Sequence, residues 1–146
     1  MKYTHYDKLE KYVTDGLIDV NKHPSEDLYI YNYTRKTQYE SLWDEVTLQC
    51  RGLVLDGTGE IVAKALDKFF NIEEEPNLSW ECEHVWVQEK MDGSLGILFH
   101  YNGNWHLATR GSFTSDQAKK GMEILTKKYD LKRFMPEAVY VCEIIY

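Results

Sequence analysis

The chain has 146 residues, 43% of them hydrophobic and 14% aromatic, which is enough apolar material for one domain with its own core and too much for a disordered chain. Seventeen basic side chains against 24 acidic ones leave a formal charge of −7, which argues against a protein that grips a nucleic-acid backbone over a broad basic face. Three cysteines without a close pair, Cys50, Cys82 and Cys142, argue against a disulfide framework or a CxxC zinc site and fit a reducing compartment.

In chain order, YDKLEKYVTDG reads as a short helix with Leu9, Tyr12 and Val13 on one face and Gly16 as its stop. DLYIYNYT (27–34) alternates and reads as a strand. KTQYESLWDEVTLQ is ambiguous and is read as a short helix before a strand. RGLVLD and EIVAKAL flank Gly57-Thr58-Gly59, a hairpin with a three-residue turn. An acidic loop, NIEEEPN, leads to HVWVQEK, expected as a strand that ends at Lys90. LGILFHY and WHLATR flank Asn102-Gly103-Asn104, and Asn-Gly is the strongest short hairpin signal. Thr114 or Ser115 can cap a helix over DQAKKGMEILTKKYD, where Ala118, Met122, Leu125 and Tyr129 recur at helical spacing. AVYVCEIIY closes the chain as a strand. The sum is an antiparallel-rich α+β domain, hairpins with a few peripheral helices. The N-terminus has no apolar signal core and no run is long enough to span a bilayer, so the expected location is the cytoplasm. Cys82-Glu83-His84 is too sparse to read as a metal centre.

The segment EKMDGSLG (89–96) poses the functional question, because a lysine closes one apolar run just before a turn into another. Taken alone, Lys90 is as well explained by a hairpin lysine in solvent. A lysine acts as a nucleophile only when its amine is free, and with a reference pKa of about 10.4 only about one in a thousand is free near pH 7.4. Lowering a lysine pKa by about three units takes about 4 kcal/mol, which burial and nearby cations can supply. Arg51, Lys64, Lys68 and Arg110 all fall at or near strand boundaries, where they could converge over one sheet face and clamp a polyphosphate.

Here the residues resemble a known family. KMDG (90–93) matches the KxDG signature of covalent nucleotidyltransferases, the ATP-dependent ligases and capping enzymes. With CRGLVLD (50–56), KALDKFFNIEE (64–74), ATRGSF (108–113) and YVCEIIY (140–146) in order, the chain resembles the phage-type RNA ligase 1 family. The resemblance implies an antiparallel β-sheet nucleotidyltransferase fold of the ATP-grasp-like ligase type. It implies ATP and Mg2+ as cofactors and RNA ends, tRNA among them, as partners. Lys90 corresponds to the nucleophile that becomes lysyl-AMP. Glu89 borders the adenine, Asp92 and Gly93 form the turn that positions the lysine, and Arg51 and Lys68 are phosphate-side cations. Phe70 lies on the pocket wall and Glu143 contacts the ribose. Arg110 stands where the family often has lysine, which keeps the charge and changes the geometry. If phage-encoded, the protein would work in the host cytoplasm.

The family continues with an EGVV-type acidic strand and a strand of paired lysines, and neither follows Glu143 here. Residues 1–146 are therefore expected to be the first part of an adenylylation domain, incomplete at the C-terminus, whose last strand leaves an apolar edge for self-association or a complementing chain. Two readings stay open: an ATP-dependent RNA ligase that adenylylates itself at Lys90 and seals a 5′-phosphate to a 3′-hydroxyl, and a catalytically inactive nucleotide- or partner-binding module derived from one. Guanylyl transfer of the capping type fits the flanks less well.

Overall fold

The computed structural model describes residues 1–74, 84 and 86–146. Its described elements are helix α1 (Tyr6–Thr14), strands β1 (Ile18–Lys22) and β2 (Leu28–Tyr33), helix α2 (Arg35–Tyr39), strands β3 (Arg51–Asp56), β4 (Ile61–Ala63), β5 (Ser94–Tyr101) and β6 (Asn104–Ala108), helix α3 (Asp116–Lys128) and strand β7 (Tyr140–Ile144). The strands form two antiparallel sheets, β1-β2-β3-β4 and β6-β5-β7. The α+β class read from the sequence is the class observed.

Period-two alternation explains how the two sheets stack. Leu28 and Ile30 of β2 and Val54 of β3 face Ile97 and Phe99 of β5 and Ala108 of β6, and this shared core is fully buried. The neighbours in sequence point the other way. Leu53 and Leu55 pack with Leu9 of α1, Ile18 and Cys50, whereas Leu98, Leu107 and Ile144 pack with Met122 and Leu125 of α3. The order of layers is thus α1, first sheet, second sheet, α3. Ser115 caps α3, its Oγ accepting the Ala118 N–H at 3.2 Å. Tyr129, read as part of the helix's apolar face, lies just past its end and is 55% exposed.

The hairpins form where turn chemistry calls for them. Asn102 and Gly103 both take positive φ, 48° and 80°, as the two-residue turn between β5 and β6 requires. At the β3–β4 turn the Asp56 carboxylate accepts the Thr58 N–H, Thr58 hydroxyl and Glu60 N–H. The ambiguous stretch resolves into α2, capped by the Thr34 hydroxyl, and a compact turn. There Asp44 accepts the N–H groups of Val46 and Thr47 and the hydroxyl of Tyr12. Those bonds hold the Asp44 carboxyl below the usual carboxylate range against a burial effect that pushes it up.

Two elements differ from the sequence reading. Strand β1 carries no apolar alternation that would announce it: IDVNK buries only Ile18, and it is a strand by its pairing with β2. The strand expected over HVWVQEK is absent at His84 and residues 86–90, which carry no regular secondary structure. Trp86 and Val87 are each 90% exposed, so no sheet covers the apolar side chains that motivated the expectation. Residues 82 and 83 of the Cys82-Glu83-His84 pattern lie outside the described residues. No described helix is long and apolar enough to cross a membrane.

Candidate active site

The site lies where the ends of the two sheets meet. Between β2 and β3 the register slips: Tyr31 faces Leu53, but Asn32 faces Arg51, leaving Gly52 as the extra residue of a bulge. Gly52 has φ +78°, and a Cβ there would sit 2.4 Å from Ile97 Cδ1 and 3.4 Å from the Arg110 carbonyl oxygen. Only glycine satisfies both the left-handed backbone and this close approach of the sheets. The bulge turns Arg51 out of the alternation of β3 and brings it near the end of β6, where Arg110 follows. The glycine of CRG is therefore what allows the two arginines to share one space.

A second glycine does the same for the lysine side. A Cβ on Gly93 would lie 2.5 Å from the Ile144 carbonyl oxygen. The bare backbone lets the turn before β5 lie directly against β7, beside Glu143, which pairs in register with Leu95. The KxDG glycine thus brings residues 90–93 against the strand that carries the acid.

These approaches enclose a cleft of about 830 Å³ lined by Arg51, Lys90, Asp92, Gly93, Arg110 and Glu143, together with Asn32, Phe69, Ser112 and Gln117 among others. Both arginines are held by their neighbours. Arg51 donates to the Leu66 carbonyl at 3.5 Å and lies 5.1 Å above the Phe69 ring; Arg110 donates to the Tyr33 hydroxyl at 3.3 Å and lies 5.2 Å from that ring. Neither makes an ion pair among the described residues, so their charge remains available to a ligand anion. Lys90 is exposed on irregular chain. Cys142 also lines the cleft, but burial, helped by the neighbouring Glu143 charge, pushes its thiol up, so it is a neutral wall group rather than a nucleophile.

Six of the nine sequence-derived site residues thus meet in one cleft, and three do not. Lys68 and Phe70 line a separate hollow with Trp43, and exposed Glu89 lines neither space. The split lies in the irregular chain at 68–70, tied down by the Lys68 N–H on the Leu48 carbonyl at 2.8 Å: Phe69 lines the cleft, and Lys68 and Phe70 line the hollow. Sequence reasoning missed Asn32. Its Oδ1 is buried without a partner in the cleft wall, an acceptor that a ligand N–H or O–H can satisfy. No motif marks it; the signal is the bulge opposite.

Among the described residues, no three His, Cys, Asp or Glu side chains are grouped to hold a metal by themselves. The cleft does offer the carboxylates of Asp92 and Glu143, which fits the one- or two-carboxylate share typical of Mg2+ bound mainly through nucleotide phosphates.

Comparison with known proteins gives the same region a family. A family model described as RNA ligase matches residues 49–137, more than half of the chain, from the residue before CRGLVLD to just short of β7. A protein of Autographa californica nuclear polyhedrosis virus, named as a candidate bifunctional polynucleotide kinase/RNA ligase, is 34% identical over 107 residues. That alignment covers 65% of this chain and 15% of the viral protein.

Proposed function

Because the chain belongs to the phage-type RNA ligase 1 family, we propose that its cleft binds ATP and that Lys90 takes up the AMP group. The observation that carries this reading is the convergence of Lys90, Arg51 and Arg110 on one cleft. Arginine forks suit the non-bridging oxygens of a triphosphate, and they place positive charge around the lysine, which favours the free amine. In the proposed step the Lys90 amine, having lost a proton, attacks the α-phosphorus. A P–N bond forms, the α–β P–O bond breaks and pyrophosphate leaves. Arg51 and Arg110 hold the charge that develops on the departing phosphates. Asp92 and Gly93 shape the turn that presents the lysine, and Glu143 takes a ribose hydroxyl. Glu89, Phe70 and Lys68, which the resemblance assigns to the adenine side, the pocket wall and the phosphates, lie outside this cleft and take no part in the step proposed here. Mg2+ bound to the triphosphate would neutralise part of its charge.

The rest of the reaction rests on the resemblance alone: transfer of AMP to an RNA 5′-phosphate, then attack by a 3′-hydroxyl with release of AMP. The chain spans about 15% of the length of its viral relative, so sealing of RNA ends, tRNA among them, is proposed for the protein as a whole. The same proposal includes the nucleotidyltransferase fold, with further strands completing it at β7, and action in the cytoplasm. β7 is an edge strand with Val141, Ile145 and Tyr146 exposed at or just beyond it, which supports pairing with a further strand or a second copy.

The exposure of Lys90 favours one competing reading, a module that binds nucleotide without transferring it. Labelled ATP separates the two. The proposal expects a protein–AMP adduct that survives alkali, breaks in acid and is reversed by pyrophosphate. ATP binding with no adduct under any condition supports the binding module.

A further inference from the structure

The hollow beside the cleft has its own chemistry. It encloses about 670 Å³, lined by Tyr39, Trp43, Lys68 and Phe70 together with the amide residues Gln38 and Asn71. Lys68 Nζ sits 4.0 Å from the Phe70 ring centre and 5.5 Å from that of Trp43, and makes no ion pair among the described residues. Glu74 also lines the hollow, its carboxylate accepting the Asn71 backbone N–H at 2.8 Å. Tyr39 is a large ring, 80% exposed, that none of the described elements covers. An edge-on series of rings connects the hollow to the cleft: Phe70 to Trp43 at 5.5 Å, Trp43 to Tyr33 at 5.0 Å, and Tyr33 to Arg110.

Aromatic rings, amides and one cation are what an unpaired nucleotide needs: stacking for the base, hydrogen bonds for its edge and a charge for its phosphate. We infer that this hollow binds a nucleotide of the single-stranded RNA end whose joining the cleft serves; the inference rests on the RNA-ligase reading. A stacking site also answers the charge problem. With a net charge of −7 over these 146 residues, phosphate neutralisation is a weak source of affinity, so base stacking carries much of the binding of RNA. Lys68, lying on the rings, contributes one phosphate contact and no more.

The test uses the intact chain and a fluorescein-labelled oligoadenylate hexamer with hydroxyl ends, titrated by anisotropy without ATP, so that the result is independent of adenylylation. Tyr39→Ala removes an exposed ring without touching the core, and Trp43→Phe keeps a ring in the aromatic series. Each is expected to weaken hexamer binding, Tyr39→Ala about tenfold, with the slope of log Kd against log salt unchanged, while ATP affinity and AMP adduct yield stay at the parental level. Parental binding of the hexamer by both variants overturns the inference, as does failure of the parent protein to bind it at all. Loss of ATP affinity in step with RNA affinity would assign the hollow to the mononucleotide site instead and equally overturns it.

Discussion

Two sides of one cleft are built differently. Arg51 and Arg110 stand at strand ends, anchored by a bulge, a close sheet-to-sheet approach and hydrogen bonds to Leu66 and Tyr33. Lys90 stands on exposed chain without regular structure, and only its glycine neighbour Gly93 is packed, against β7. The proposed phosphate-binding half of the site is anchored to the two sheets, with Arg51 half-buried and Arg110 exposed; the proposed nucleophile sits on irregular chain beside it. Phosphate binding should therefore depend on fold integrity, whereas transfer should depend on how residues 90–93 are held.

The largest effect should come from breaking the arginine side at its root. Gly52→Ala combines a left-handed backbone with a contact that the Ile97 side chain must yield to, and is expected to cost about 2–4 kcal/mol of stability. Denaturant unfolding checks this, and a loss below about 1 kcal/mol would mean that the bulge is not what fixes the two sheets. A smaller and more selective effect is expected from Arg51→Ala. ATP affinity should fall roughly ten- to a hundredfold while adenosine affinity stays within about twofold, because a charge-assisted contact to phosphate is lost. Calorimetric titration with both ligands decides it, and equal losses would remove Arg51 from the phosphates.

The smallest effect concerns the turn that sets Trp43 beside the aromatic hollow. The Asp44 carboxyl titrates below its ordinary 3.8 in the folded chain, where burial is outweighed by bonds from Thr47, Tyr12 and Val46. A depressed carboxyl stabilises the fold above its unfolded pKa, and that contribution is lost as pH falls through the folded value. Asp44→Ala should thus cost about 1–2 kcal/mol at neutral pH and very little once the pH is well below 3.8. Urea unfolding at both pH values tests this. A loss of equal size at low pH would show that the carboxylate charge is not what matters.

How much of this was legible in the sequence depended on whether local signals carried it. Asn102-Gly103 and Gly57-Thr58-Gly59 announced their hairpins, and Thr114 or Ser115 with the apolar spacing behind it announced α3. Strand β1 did not, because an edge strand can be polar, and HVWVQEK misled because its apolar residues are not covered by any described sheet. At the site, the motif order named the candidate cations and the candidate lysine, but which of them share a space is a long-range matter. Gly52 looked like an ordinary strand residue until the register slip opposite Asn32 showed its role. Lys68 and Phe70 read as one group with Arg51, and the irregular chain at 68–70 divides them between two spaces.

The most direct test measures binding and transfer together in Lys90→Ala. With phosphates held by Arg51 and Arg110 and chemistry confined to Lys90, the variant should bind ATP within about twofold of the parent and form no AMP adduct, a dissociation expected of a group that acts on the reacting phosphorus without contributing to ground-state binding. An adduct that persists in Lys90→Ala, or ATP affinity that collapses along with the adduct, would contradict the account.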